Sequence, residues 1–447
     1  MAGIGYIGQA GTGKTTKLIA RLNESLDLDS WPNSASLLAI TFMHGSRRRL
    51  EEKLKPIQRK GVQVNCMTID SYSLNLLQRY RSYLGIDRAI VVDEDPNQKR
   101  DFEGKLHLGR NIIRQFANEL LEFKIVKQVQ SFSYPIVVVD EFQDCDGLLL
   151  EIVKKLNACC ELVVAADDFQ NLNPNEECIA TKWLSESIEL KRLEHVWRTN
   201  DSKILDSSVA IRSNAQTTNG VETKYVASHH LAAFFILSNM QWNDRMGGGK
   251  RTVAIISPVG PSRDAFVRQT LERIQKPMTK KNKYSLGPRP FFHEGNERIS
   301  ALDILTSFND WKDLDSLTMK ELNSWSFEGH LGFSHAVKRA KRIMKLRNVT
   351  HLSKTEFSGL LSSGIHFVNT FLSRTGRSRI FLTVHGAKNR EFDDVFIIWP
   401  NYTLPKGDLY RRKLMYNAIT RAKRKVVILV QDKGDRSAEC PLNLLKF

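Results

Sequence analysis

Gly8-Gln9-Ala10-Gly11-Thr12-Gly13-Lys14-Thr15 sets glycines, a lysine and a hydroxyl at the spacing of a loop that wraps phosphates. Glycine lets successive backbone N–H groups converge on an anion, Lys14 reaches the β- and γ-phosphates, and the Thr15 hydroxyl binds Mg²⁺. Gly8 to Thr16 are therefore the expected cradle of a nucleoside triphosphate. A second constellation, Asp140-Glu141-Phe142-Gln143-Asp144, ends an apolar run that begins at Pro135. Asp140 is expected to hold the magnesium ion, and Glu141 to orient and deprotonate an attacking water. Phosphoryl transfer also needs positive charge that reaches the transition state. Arg198, in Glu194-His195-Val196-Trp197-Arg198, and Arg421, in Ile419-Thr420-Arg421-Ala422, are the candidates.

These residues need elements that hold them still. Apolar runs near 4–7, 36–41, 62–67, 136–140 and 161–166 read as buried strands with amphipathic stretches between most of them, which is an α/β pattern with a parallel sheet. The phosphate loop then lies between a strand and a helix over Thr16 to Leu26, whose N-terminal dipole faces the phosphates. The carboxylates lie at the C-terminal edge of another strand, where ligands bind in open α/β sheets. From Ser73 to Pro135 the interval is too long for a simple crossover, and its stretch from Gln98 to Gln130 reads as mostly helical, so it is taken as an insertion. After Arg198 a second α/β segment follows, with strands expected at 252–257, 379–384, 395–399 and 426–430 and a basic insertion between them.

The chain has 447 residues, enough for two to four domains at roughly 150 residues each. Its net charge of +17 favours a polyanionic partner, with nucleic acid first. The six cysteines show no CxxC spacing, so neither a zinc site nor a disulfide framework is expected. No apolar run approaches the roughly 20 residues that span a bilayer, and the phosphate loop follows the N-terminus too closely for a signal peptide. A soluble, cytoplasmic protein without a membrane partner is expected, associated with the nucleoid if the source is prokaryotic or a phage.

In order along the chain, further segments resemble the UvrD/Rep family of superfamily 1 helicases. Leu38-Ala39-Ile40-Thr41-Phe42-Met43 looks like the strand that delivers an aromatic to single-stranded DNA, and Ala166-Asp167-Asp168-Phe169-Gln170 resembles the motif whose glutamine senses the γ-phosphate. Trp197-Arg198 resembles the pair that stacks on the base and contacts phosphate. Thr383 to Phe392 resembles the fifth motif, with Glu391 in the place of a ribose-binding glutamate, and Ala418 to Ala422 resembles the arginine-finger motif around Arg421. Two RecA-like P-loop NTPase domains with parallel sheets are thereby implied, each carrying a mostly helical insertion: 1–198 with an insertion at about 73–135, and 199–447 with one at about 277–377. The resemblance further implies ATP and Mg²⁺ between the domains, DNA across their tops and 3′-to-5′ movement.

Departures from the family pattern also bear on function. The glutamine motif that reads adenine upstream of the loop is not seen, and Thr16 stands where an arginine often follows. Thr68-Ile69-Asp70 replaces a Thr-Phe-His segment and sets a carboxylate, expected to repel DNA, beside the contact residue Thr68. After Gln170 the chain continues Asn171 to Glu177 without the usual stacking aromatic. Phe42 is expected either to stack on a base or to pack in the core. Exposed phosphate path and solvated helix face are both open for Arg47, Arg48, Arg49, Lys53, Lys55, Arg59 and Lys60, whereas phosphate contact is favoured for Lys280, Lys281, Lys283 and the basic stretch Lys338 to Arg347. For His385 a DNA or coupling contact is favoured over a core position. The expected function is ATP-driven translocation on single-stranded DNA with unwinding at ss/dsDNA junctions. The alternative is a DNA-stimulated, nucleotide-gated switch or regulatory subunit beside a protein partner such as a nuclease, in a defence or nuclease complex. RNA remains open as a substrate.

Overall fold

Runs such as Leu37-Leu38-Ala39-Ile40 and Ile136-Val137-Val138-Val139 carry apolar side chains on successive residues, so both faces of the strands they form must be covered. The computed structural model describes residues 3–26, 31–42, 44–93, 95–102, 104–173, 178–246, 251–280, 284–289, 291–293, 316–324, 331–367, 378–401, 407–432 and 440–442. Of the residues named above, Met43, Lys281, Lys283 and 174–177 lie outside the described residues, as do the side chains of His44, Gly45, Ser46, Arg48 and Lys280. The chain divides into two units, Met1–Val221 with Thr403–Arg424 and Cys440–Phe447, and Glu222–Tyr402 with Lys425–Glu439.

In the first unit the main elements run β1 (Ile4–Gly8), α1 (Lys14–Ser25), β2 (Ser36–Thr41), α2 (His44–Gln58), β3 (Gln63–Thr68) and α3 (Ile69–Tyr80). Then come β4 (Ala89–Val92), β5 (Lys99–Phe102), β6 (Lys105–Leu108), α4 (Arg110–Leu120), α5 (Lys124–Ser133), β7 (Ile136–Val139), α6 (Gly147–Asn157) and β8 (Glu161–Ala166). Finally α7 (Ile179–Ser187), β9 (Glu189–Leu193) and α8 (Ser202–Ser213) complete the N-terminal stretch. The strand order is β3-β2-β7-β8-β1-β9, and all five pairings are parallel. Strand alternation assigns the two faces. Leu37, Ala39, Val138, Val163 and Ala165 pack with Leu18 and Leu22 of α1 and Leu50, Leu54 and Ile57 of α2. Leu38, Ile40, Val137, Val139, Leu162 and Val164 face Leu76 and Leu77 of α3, Ile113 and Ala117 of α4 and Val153 of α6.

All five strands expected from the apolar runs are present. The edge strand β9 was not anticipated, because Glu-Leu-Lys-Arg-Leu carries charge where a buried strand carries none. Between Gln98 and Gln130 the chain is only partly helical. There β5 and β6 pair antiparallel and β4 joins β6 in parallel, forming a small three-stranded sheet before α4 and α5. All four β5 residues are exposed, so its sequence has no apolar alternation to betray it.

In the second unit, β10 (Glu222–Val226), α9 (His229–Met246), β11 (Val253–Ser257), α10 (Ala265–Ile274), β12 (Met278–Lys280), β13 (Tyr284–Leu286), β14 (Phe292–His293) and β15 (Ser316–Thr318) come first. They are followed by α11 (Met319–Ser324), α12 (Leu331–Arg347), β16 (His351–Ser353), α13 (Lys354–Phe367), β17 (Arg379–Thr383), α14 (Val384–Ala387) and β18 (Phe392–Trp399). The chain then returns to the first unit with α15 (Asp408–Ile419) before β19 (Ala422–Gln431). The main sheet here is ordered β10-β19-β18-β11-β17-β14, with parallel registers at β10–β19, β18–β11, β11–β17 and β17–β14. The four expected strands are β11, β17, β18 and β19. A separate small core inside the insertion joins Leu317, Leu322, Phe333, Ala336, Ala340, Met344, Leu352 and Phe357. No helix among the described residues is long and apolar enough to cross a membrane.

Candidate nucleotide site

β1 ends at Gly8 and the loop turns at Gly11 and Gly13, whose φ values of 83° and 78° lie in the left-handed region that glycine enters without penalty. A Cβ on Gly11 would also come within 2.6 Å of the Arg198 Cβ. α1 then begins at Lys14 with no side-chain cap and no acidic residue in its first turn. Its first N–H groups and dipole are thus directed at the loop, the arrangement that favours a bound phosphate.

Lys14 Nζ donates to the carbonyls of Gly8 at 2.9 Å and Gln9 at 2.8 Å and lies 3.9 Å from the Asp167 carboxylate. Burial pulls its ammonium below the usual lysine value, and Asp167 is the chief influence opposing this. The Thr15 hydroxyl donates to Asp140 at 3.2 and 3.3 Å, so α1 and the end of β7 bring these two residues together as expected. A hydroxyl and a carboxylate are hard oxygen donors and suit a divalent cation such as Mg²⁺. Burial, and after it the Glu141 charge, push the Asp140 carboxyl up to about 6, a state that a cation would reverse. Glu141 has φ 60°, a strained conformation for a residue with a side chain, and its carboxylate accepts from Gln143 Nε2 at 2.6 Å. The other end of that amide, Gln143 Oε1, accepts from the Asp167 backbone N–H at 2.9 Å.

β8 lies between β7 and β1, so the Asp167 at its end sits amid the loop and the two carboxylates. Gln170 is buried and donates to Asp167 at 2.9 Å, while its Oε1 accepts from Arg421 Nη2 at 3.2 Å. Arg198 Nη1 donates to the Thr420 carbonyl at 2.8 Å, so both candidate arginines meet the turn that follows α15. The Trp197 backbone N–H donates to the Gly11 carbonyl at 2.8 Å, and its ring is 73% exposed. Thr12 is buried and its hydroxyl donates to Gln9 at 2.9 Å, bracing the loop from inside, whereas Thr16 is exposed.

The expected nucleic-acid residues fall into different surroundings. Phe42 is half-buried against the core on the α3 side of the sheet, so a large part of its ring serves packing. Thr68 is buried and caps α3, its hydroxyl accepting from the Ser71 N–H at 3.2 Å. The carboxylate expected to repel DNA, Asp70, is paired two-pronged with Arg114 of α4 at 2.7 and 3.1 Å, which neutralises it. His385 is exposed in α14 at the end of β17, and Glu391 is exposed ahead of β18. A cavity of about 580 Å³ lies beside the loop rather than in it, lined by Ile7, Phe169, Arg192, Arg212 and Lys413 among others.

Asp167, Tyr416, Arg212 and Gln143 were not singled out from sequence. Asp167 and Gln143 lay inside quoted motifs and could have been found as polar residues flanking the named ones, whereas Tyr416 precedes the quoted arginine motif. Arg212, near the end of α8, had no local signal.

The chain matches the AAA domain family over residues 4–174 and the UvrD-like helicase C-terminal domain over residues 380–429. No curated protein matches it. Among solved structures it is similar to the arterivirus nonstructural protein 10 helicase, at 11% identity and a TM-score of 0.37, over 97% of this chain and 60% of that one. The same helicase in complex with DNA gives 12%, 0.35, 97% and 62%. The chain thus spans about 60% of the length of those viral chains. A phosphate-loop domain followed by a UvrD-like helicase C-terminal domain in one polypeptide makes the chain similar to UvrD/Rep-like helicases, with the features of a P-loop NTPase.

Proposed function

We propose that the chain is an ATP-dependent translocase on single-stranded DNA that opens duplex at ss/dsDNA junctions and moves 3′ to 5′. The observation that carries the chemistry is the convergence of Lys14, Thr15, Asp140 and Glu141 on one sheet edge, with Gln170 and Arg421 hydrogen-bonded behind them. Lys14 and the loop N–H groups bind the triphosphate. Thr15 and Asp140 hold Mg²⁺, which when bound screens the charge of the phosphates. Glu141 takes the proton of the attacking water, and its Gln143 contact fixes the carboxylate's direction. Arg421 and Arg198 supply positive charge for the transition state, and Trp197 covers the base with Glu391 as the ribose contact. Phe42, Thr68 and His385 are the proposed DNA contacts, the first by stacking.

Phosphate release should be measured with and without single-stranded DNA, across ATP, GTP and salt. ATP turnover that rises with DNA is expected, and flat rates under all conditions would remove the motor. Lys14→Ala and Glu141→Gln should each lower turnover by on the order of 100-fold or more while the protein still folds. Wild-type turnover in either variant would overturn the site. Asn171, in place of an aromatic, donates its side chain to the Gln143 carbonyl and so serves the fold. That favours, as a second reading, a nucleotide-gated switch beside a protein partner such as a nuclease. DNA-stimulated hydrolysis without strand displacement would support the switch, and matched RNA oligonucleotides would test the substrate.

A further inference from the structure

Asp167 is fully buried, and four donors converge on its carboxylate. They are Arg212 Nη1 at 2.8 Å, Gln170 Nε2 at 2.9 Å, the Tyr416 hydroxyl at 3.0 Å and the Phe169 N–H at 3.2 Å. Burial alone would raise this carboxyl, yet Lys14 and Arg212 outweigh it and hold it below the ordinary aspartate value. It therefore stays ionised, facing the Lys14 ammonium at 3.9 Å. Tyr416, from α15, is buried too, and its hydroxyl makes two bonds of opposite sense: it accepts from the Ala10 N–H of the phosphate loop at 2.9 Å while donating to Asp167. Burial pushes the phenol well above its usual value, with the Asp167 charge next, so it keeps the proton it donates. Arg212 also pairs with Asp168 and lies 5.5 Å over the Phe169 ring and 5.9 Å over the Tyr416 ring. One turn beyond Tyr416 the same segment carries Thr420 and Arg421, the partners of Arg198 and Gln170.

We propose that Tyr416 and Arg212 are positioning residues of the hydrolytic site, tying the phosphate loop through Asp167 to the segment that carries Arg421, so that the γ-phosphate is read by loop and arginine together. This rests on the assignment of the loop and Arg421 to triphosphate hydrolysis. Neither residue needs to touch nucleotide. Tyr416 fixes the loop at Ala10, Arg212 fixes the carboxylate, and Asp167 is shared between Lys14 on one side and the Gln170–Arg421 pair on the other. Removing the Tyr416 hydroxyl breaks both of its links while leaving the loop amides, Lys14, Thr15 and Asp140 in place to bind nucleotide.

The test uses the full chain with Tyr416→Phe, Arg212→Gln and Arg212→Lys. A fluorescent ADP analogue counts binding-competent sites, and a non-hydrolysable ATP analogue competes against ADP. Per binding site, Tyr416→Phe should lower kcat about tenfold or more with KM for ATP changed by less than about threefold, because the bound geometry shifts while ground-state contacts persist. The preference for the ATP analogue over ADP should shrink in parallel. Arg212→Gln should behave likewise, and Arg212→Lys should recover part of the kcat, since it keeps the charge but loses the forked geometry. If Tyr416→Phe fails to fold, the Arg212 pair decides. A purely structural role predicts fewer binding sites with unchanged kcat per site and unchanged discrimination, and that outcome overturns the proposal. Wild-type protein that binds nucleotide but hydrolyses none would instead defeat the functional assignment.

Discussion

Lys14 illustrates how a charged side chain can be kept under cover without being lost as a cation. Two loop carbonyls accept hydrogen bonds from its ammonium, and Asp167 opposes the cost of burial from 3.9 Å away. Asp167 in turn depends on Arg212, Gln170 and Tyr416, so one carboxylate holds several cationic and polar groups in place. Removing one partner of such a buried set leaves the rest uncompensated, and Asp167→Asn is expected to cost about 3–5 kcal/mol of stability. The pH dependence has a definite sign. A carboxyl held below its ordinary value contributes stability above the unfolded aspartate value of about 3.9 and loses it as pH falls toward the native value. Urea midpoints of the wild type should therefore drop as the buffer passes below about pH 4, with a shallower drop in Asp167→Asn. Parallel curves for the two proteins would show that Asp167 carries none of the acid sensitivity.

Helix α3 and its neighbour α4 join the sheet edge to the small insertion. Thr68 starts α3 by capping its Ser71 N–H, Leu76 and Leu77 bury against Ile113 and Ala117, and the Asp70–Arg114 pair latches the outer side. Apolar packing dominates this arrangement, because a partly exposed ion pair contributes no more than about 1 kcal/mol. Thr68→Ala is expected to cost about 1 kcal/mol through the lost cap, and Leu77→Ala about 2–5 kcal/mol through the cavity left behind. Chemical denaturation would check both, and equal losses would contradict this division. Arg114→Ala should change stability little. It would unmask Asp70, however, and weaken single-stranded DNA binding at low salt, whereas unchanged binding would place Asp70 off the DNA path.

Across the whole molecule the charge of +17 is carried partly by helical faces opposite apolar stripes. In α12, Phe333, Ala336, Val337, Ala340 and Met344 are buried while Lys338, Arg339, Arg342, Lys345 and Arg347 are exposed. In α2, Leu50, Leu54 and Ile57 are buried beneath exposed Arg47, Arg49, Lys53 and Lys55. Arg347 bonds Glu356 at 2.9 Å and is the least available of the α12 set for phosphate. If α12 lies on the nucleic-acid path, changing Lys338, Arg339 and Arg342 to alanine should flatten the plot of log affinity against log salt by about 0.7 per lost phosphate contact on a single strand. An unchanged slope with unchanged affinity would mark α12 as a solvated face.

The phosphate loop, the Asp140-Glu141 turn and the strands that carry them were legible from sequence, because their signals are local: glycine spacing, a hydroxyl after a lysine, and apolar runs ending in charge. Position on the sheet was not. That β8 falls between β7 and β1 is a matter of strand order, and this alone brings Asp167 against Lys14 and makes it the centre of the network. Asp70 was read as a repulsive charge because its partner Arg114 is distant in sequence, and β5 was read as helix because an exposed strand leaves no apolar period. Tyr416 and Arg212 became visible only through the return of α15 to the first unit, beside β8 and α8. Residue types and spacing determined which chemistry the chain can attempt. Tertiary structure decided which groups share a buried charge, since Coulomb and hydrogen-bond terms depend on distance in space and burial rather than on separation along the chain.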